Sequence, residues 1–110
     1  ATINGQGNIG ASRFAFRLVR NTTAIGIGDA AGSRARVSTN ALYDASGRSI
    51  ETNSINYLDS PATTSATTYK VQGYQTEGTG SHYINRSNTD DNNATYLRAI
   101  STITAYEIAG

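Results

Sequence analysis

Polar and apolar side chains alternate with a period of two along most of this chain, and nowhere do apolar residues keep helical spacing for a dozen positions. That period puts successive side chains on opposite faces of an extended strand, so the pattern predicts an all-β domain. The clearest run is 12–20, where Phe14, Phe16 and Leu18 share one face and Arg13, Ala15, Arg17 and Val19 the other. The first face is expected to be core and the second largely solvated. A break at Asn21, Thr22 and Thr23 leads to a strand at 24–28, in which Ile25 and Ile27 alternate with the bare backbone of Gly26 and Gly28. A turn at 29–33 precedes a strand at 34–40, with arginines outward against Ala35, Val37 and Thr39.

The Ser46-Gly47 pair marks a further turn at 45–48. Alternation resumes at Ile50, and Ile55 and Tyr57 lead a strand that ends at Asp59, Ser60 and Pro61, since proline brings no N–H to a ladder. Residues 66–75 form the longest run of high β-propensity, with Thr67, Tyr69, Val71 and Gly73 on one face and Thr68, Lys70, Gln72 and Tyr74 on the other. A glycine-containing turn at 77–80 is expected to close a hairpin onto 81–86. Residues 87–94 offer no large apolar side chain and read as an exposed loop. The last run, 99–109, sets Ile103 and Ala105 against Thr104, Tyr106 and Ile108, and is expected to be a central strand buried on both faces. Seven or eight short strands at spacings of about 10 residues predict an antiparallel β-sandwich or jelly roll. Residues 1–11 then form an N-terminal connector and 12–110 a single domain.

Composition narrows the chemistry. More than half of the 110 residues are Ala, Ser, Thr, Asn or Gly, so two phenylalanines, seven tyrosines and the aliphatics must build the core. Small side chains gain little on burial but pack closely, which suits contact between neighbouring subunits. With no cysteine there is no disulfide, thiolate zinc site or thiol nucleophile. With His82 the sole histidine, a three-histidine metal centre and the usual Ser-His-Asp arrangements are poorly served. A net charge of +1 gives no basic surplus for a nucleic acid backbone, and apolar runs of two or three residues do not span a bilayer. Neither a cofactor nor an enzymatic activity is expected. The first residues hold no initiator methionine and no charged or apolar leader, so the chain reads as a processed form or as one domain of something longer.

Several constellations have simple structural readings. Gly26, Gly28 and Gly32 are spaced GxGxxxG, which is neither the Rossmann nor the Walker pattern, and read as a glycine-rich strand and turn. Asp90 and Asp91 with Asn88, Asn92 and Asn93 are hard oxygen donors of the kind Ca²⁺ takes, but EF-hand spacing is absent and adjacent carboxylates usually point apart. A solvated polar loop without metal is the expectation. Asp90 paired with Asp91 or Glu77 resembles a glycosidase pair only in residue type, since that chemistry depends on a fixed carboxylate separation. The glycosylation acceptor patterns at Asn21, Asn85 and Asn93 are no more than chance supplies in a chain this rich in Asn, Ser and Thr.

The residues best suited to recognition are Tyr74, His82 and Arg86, with Asn88, Asp90, Asp91 and Asn92 in the following loop. Aromatic faces, an arginine fork and amides are what sugar or protein recognition uses. Alternation puts His82, Ile84 and Arg86 on one face and Tyr83 and Asn85 on the other, which gives Tyr83 a structural role. Exposed loops at 78–82 and 87–94 are the expected binding surfaces. The arginines at 13, 17, 34, 36 and 48 are assigned to outer faces or subunit contacts.

Five segments, in order, carry a family resemblance: Phe14-Ala-Phe-Arg-Leu-Val-Arg20, Ala24-Ile-Gly-Ile-Gly-Asp-Ala-Ala-Gly-Ser-Arg34, Tyr57-Leu-Asp-Ser-Pro-Ala-Thr-Thr-Ser-Ala-Thr-Thr-Tyr-Lys-Val-Gln72, Tyr83-Ile-Asn-Arg-Ser87 and Ser101-Thr-Ile-Thr-Ala-Tyr-Glu-Ile-Ala-Gly110. Together they cover most of the chain from residue 12, and it resembles the carboxy-terminal domains of bacteriophage fibre and appendage proteins, many of them from marine phages. Ala105-Tyr106 departs from that pattern, which has larger aliphatics before Glu107. The resemblance implies a sandwich of jelly-roll or tumour-necrosis-factor-like type, a homotrimer at the end of a tail fibre, exposed on the virion beside other virion proteins. It also implies host attachment, through a surface glycan or protein. A capsid decoration, or cement, protein and a stand-alone carbohydrate-binding module are the alternatives.

Overall fold

The computed structural model describes residues 1–7, 13–40 and 48–108, with backbone alone at Arg13, Thr76 and Glu77. Among these residues there is no helix, and seven strands form two antiparallel sheets. The strands are β1 (Thr2–Gly7), β2 (Arg13–Arg20), β3 (Thr23–Ile25), β4 (Thr39–Asn40), β5 (Glu51–Ser54), β6 (Tyr69–Glu77) and β7 (His82–Ile84). One sheet has the order β5-β1-β7. In the other, β6 runs along the whole of β2, while β3 pairs with its Leu18–Arg20 end and β4 with Ala15 and Phe16. The protein is thus an all-β sandwich, as the alternation predicts.

β2 forms where the sequence alternates most strictly, and its inner face supplies the seam between the sheets. Phe16 packs with Ile3 of β1 and with Ile55, which follows β5; Phe14, Leu18 and Val71 close around them. The Phe14 and Phe16 rings meet edge to face, with centroids 5.1 Å apart and planes at 83°. Their positive edges thereby face negative ring faces, the favoured geometry for an aromatic pair. Across the ladder Leu18 stands opposite Val71 and Phe16 opposite Gly73. Gly73 is bare because the Phe14 ring occupies the place its Cβ would take.

The opposite face of β2 is drier than its sequence implies. Ala15 and Val19 are each only 4% exposed. Tyr74 stands directly opposite Ala15, and the Arg17 guanidinium lies 3.2 Å from the centre of its ring, so this stacked pair shields the small side chain. Val19 sits between Ala24 and Lys70 on the flanking strands.

Four further expectations are corrected. Thr2–Gly7, read as part of a connector, is β1, the middle strand of its sheet. Its sole large apolar side chain, Ile3, enters the core, while Asn and Gly neighbours hide the alternation from a hydropathy reading. The run 24–28 is paired only to Ile25, because Gly26 turns to φ 56 with the Tyr57 ring packed over it. Of 34–40, Thr39 and Asn40 alone are strand. The run expected to end at Asp59, Ser60 and Pro61 is shorter too: β5 stops at Ser54, and Ile55 is held by mutual backbone hydrogen bonds with Ala1, at 2.7 and 2.8 Å.

Two more corrections concern connectivity and the burial of the closing run. β6 and β7 are not a hairpin: β6 pairs with β2, whereas β7 pairs with β1 in the other sheet. The chain turns this corner through Gly78, at φ 80, and the corner sets His82 against Phe14. The 99–109 run is not a buried central strand either. Thr102 exchanges two backbone hydrogen bonds with Thr2, at 2.9 and 2.8 Å, but Tyr106 is 87% and Ile108 75% exposed. Most of the turn expected at 45–48, and residue 109, lie outside the described residues.

The long connection from β5 to β6 is anchored through the side chain of Asp59, besides the hydrogen bonds that Thr68 shares with Asn21. Asp59 accepts two hydrogen bonds from Arg20, at 2.8 and 2.9 Å, and one from the Tyr69 hydroxyl at 2.7 Å. The Tyr69 hydrogen bond, aided by Arg20 and opposed by partial burial, holds the Asp59 carboxyl below its ordinary value. The same carboxylate raises Tyr69 above its own.

The packing of Gly73 is testable by adding one methyl group. Gly73→Ala is expected to destabilise the fold by about 1–3 kcal/mol through overpacking against Phe14. Gly28→Ala, where nothing lies within 4 Å of the new atom, is expected to stay within about 0.5 kcal/mol of the parent. Urea denaturation of the two variants checks both; equal stabilities would show that the seam is not tightly packed there.

Candidate functional site

The loop that follows β7 is exposed at its tip and firmly held at its base. Asn85, at φ 63, ends the strand alternation, and this reversal lets Arg86 swing back over the Tyr83 ring, 4.2 Å from its centre. Ser87 is only 1% exposed, and its hydroxyl donates to the Thr89 carbonyl at 2.6 Å. The next amide, of Asn88, donates to Oε1 of Gln6, a buried side chain of β1, at 2.6 Å. Arg86 reaches forward to the Ser87 and Asn88 carbonyls at 3.3 and 3.4 Å. On the far side, the Ala99 amide donates to the Asn85 carbonyl at 2.9 Å, closing the loop's neck.

Asp90 ties the two limbs together. Its Oδ2 accepts from Arg98 at 2.6 Å and lies 3.7 Å from Arg86. With two arginines on one carboxylate, Asp90 orders the loop and is no free base or cation ligand. Beyond it, the Asn93 side chain accepts from the Thr95 amide and hydroxyl at 3.0 and 2.9 Å, an Asx turn that shapes the tip. The outcome is an open polar recess of about 330 Å³ lined by Asp90, Asp91, Asn92, Asn93, Tyr96 and Arg98. It presents a carboxylate, amides, a phenol and a guanidinium to solvent, a set able to hydrogen-bond hydroxyl-rich or peptide surfaces.

The structure divides the residues singled out from sequence. Arg86, Asn88, Asp90, Asp91 and Asn92 belong to this one loop, the first three as its framework and the last two at its exposed tip. Tyr74 lies elsewhere, on the outer face of its sheet beneath Arg17. His82 is stacked between the sheets on Phe14, with ring centroids 3.9 Å apart and planes at 13°, and its role is packing. Glu77, weighed as a second carboxylate, has no described side chain. Sequence reasoning missed Arg98, Tyr96 and Gln6. The first two fall just beyond the polar run, and Gln6 lies more than eighty positions from the backbone amide it holds. Among the described residues no group of three or more His, Cys, Asp or Glu side chains is placed to hold a metal ion.

Burial lowers His82 from its ordinary value of 6.5, so the fold favours the neutral ring. The unfolded chain binds that proton more readily, and stability is therefore lost as pH falls below about 6.5. Asp59, also lowered, adds a second loss as pH falls below its ordinary 3.8. Thermal melts across pH should show two steps, with His82→Phe removing the upper one and Asp59→Asn the lower. An upper step that persists in His82→Phe contradicts the packing role of His82.

Compared with known proteins, the chain matches no family model, no curated protein and no solved structure.

Proposed function

We propose that this chain is a bacteriophage virion structural module, the trimeric head of a fibre, which displays the 87–98 loop for contact with the host surface. The observation that carries the assembly part is the imbalance between buried and exposed apolar groups. The closed core cluster is Ile3, Phe16 and Ile55, whereas Leu58, Leu97, Ile100, Ile103, Tyr106 and Ile108 stand largely in solvent. Large exposed apolar surface on a small domain marks a place where another protein surface sits. The resemblance of its segments to phage appendage domains supplies the virion context.

The loop supports attachment by its construction. Its base is fixed by Gln6, Arg86, Asp90 and Arg98, so the tip is held rigid while Asp91 and Asn92 remain exposed. Rigid placement lowers the entropy lost on binding. Three such loops on one fibre convert weak single contacts into avidity.

Light scattering tests the assembly: a mass close to three times 11.6 kDa is expected, and a monomer at all concentrations overturns the reading. For attachment, Asp91→Ala with Asn92→Ala is expected to lower adsorption to host cells at least tenfold while the melting temperature is kept. Unchanged adsorption, with particles that lose capsid integrity when the protein is removed, would favour the decoration role instead.

A further inference from the structure

The two sheets do not close fully against each other. On the β6 side they leave an open cleft of about 370 Å³ whose apolar walls include Ile3, Phe16, Val71 and Ile84, with Ile103 of the closing run at its rim. β6 borders this cleft with Tyr69, Lys70 and Val71, and no described residue pairs with the backbone edge it turns away from β2. A long unpaired edge beside apolar side chains is a template for an added strand.

The same chain carries a segment suited to that edge. Residues 103–108 make no backbone hydrogen bond among the described residues, yet their alternation puts Tyr106 and Ile108 on one face, both largely exposed. Between them Glu107 is exposed and has no ion-pair partner among the described residues, and the same holds for Lys70 of β6 at the rim of the cleft. An edge that no described residue covers, an apolar cleft, a matching strand and opposite charges are therefore all present on one chain, and beyond Ile103 at the rim the strand runs out into solvent instead of pairing with that edge.

We propose that segment 103–108 of one copy lies as an added strand along β6 of a second copy, with Tyr106 and Ile108 in its cleft and Glu107 beside Lys70. This rests on the assembly reading above and specifies its contact. The arrangement is head-to-tail, since the surface given by each copy differs from the surface it receives, and the trimer proposed above requires the rotation between copies to close after three. It also explains why a run with the sequence of a buried strand lies exposed in a single chain.

The test uses the full chain with p-benzoylphenylalanine in place of Tyr106, mixed and reassembled with ¹⁵N-labelled unmodified chain and irradiated. Mass spectrometry of the linked peptides is expected to join the unlabelled 103–108 segment to labelled residues 69–77 or 84. Links within one copy, links to any other segment, or no link between copies overturn the proposal. Light scattering on the unmodified chain is read alongside it. A trimer without this link leaves the assembly reading standing and removes the strand exchange, whereas a monomer removes both.

Discussion

The structure depends on the contact between β2 and the opposite sheet through Phe16. This ring meets Ile3 from the middle strand of the other sheet and Ile55 from the segment after β5, and Phe14 braces it edge-on. More than half of the chain is small or short and polar, and among the described residues no second cluster of comparable size holds the sheets together. Burying such side chains contributes about 1.5–3 kcal/mol each, so loss of either ring would take a large part of the stability of a domain this size. The demands on neighbouring positions follow. Gly73 must lack a side chain, burial against Phe14 favours the neutral form of His82, and β6 runs the full length of β2 to cover it.

That economy of core links fold to proposed function. A sandwich with so few large buried residues leaves apolar side chains in solvent, and these cluster in the last dozen described residues and around Leu58. Polar groups are more fully used. Asp59 serves Arg20 and Tyr69 at one end of the second sheet, while Asp90 serves Arg86 and Arg98 across the loop after β7. These carboxylates act as clamps on irregular backbone. Their arginine partners make both sites suited to holding shape, and Asp91 and Asn92 are left outside the clamp, available for contact.

The sequence showed the fold class and the strongest strands because alternation reports burial on one face, as at Phe14, Phe16 and Leu18. It did not show β1, since a strand of Thr, Asn, Gln and Gly with a single isoleucine is held by its two neighbours and not by its own hydropathy. The β6–β7 link read as a hairpin because a glycine turn is compatible with either a hairpin or a corner. The pairing of β6 with β2 and of β7 with β1 decides between them, and His82 stacks on Phe14 across that corner. The loop tip was legible as a polar run, whereas its anchors were not: Gln6 and Arg98 reach it through the fold, and Tyr74 left the group because its partner is Arg17. The closing run has the pattern of a buried strand, and beyond Thr102 no described residue pairs with its backbone.

The central claim is that the apolar closing segment is covered by another copy of the chain. Hydrogen exchange at the amides of residues 103–108 addresses it directly, because a strand paired in an assembly exchanges slowly and an uncovered one does not. The account predicts slow exchange in concentrated protein that becomes fast on dilution below the assembly range. Fast exchange at these amides in protein that is fully assembled would contradict it.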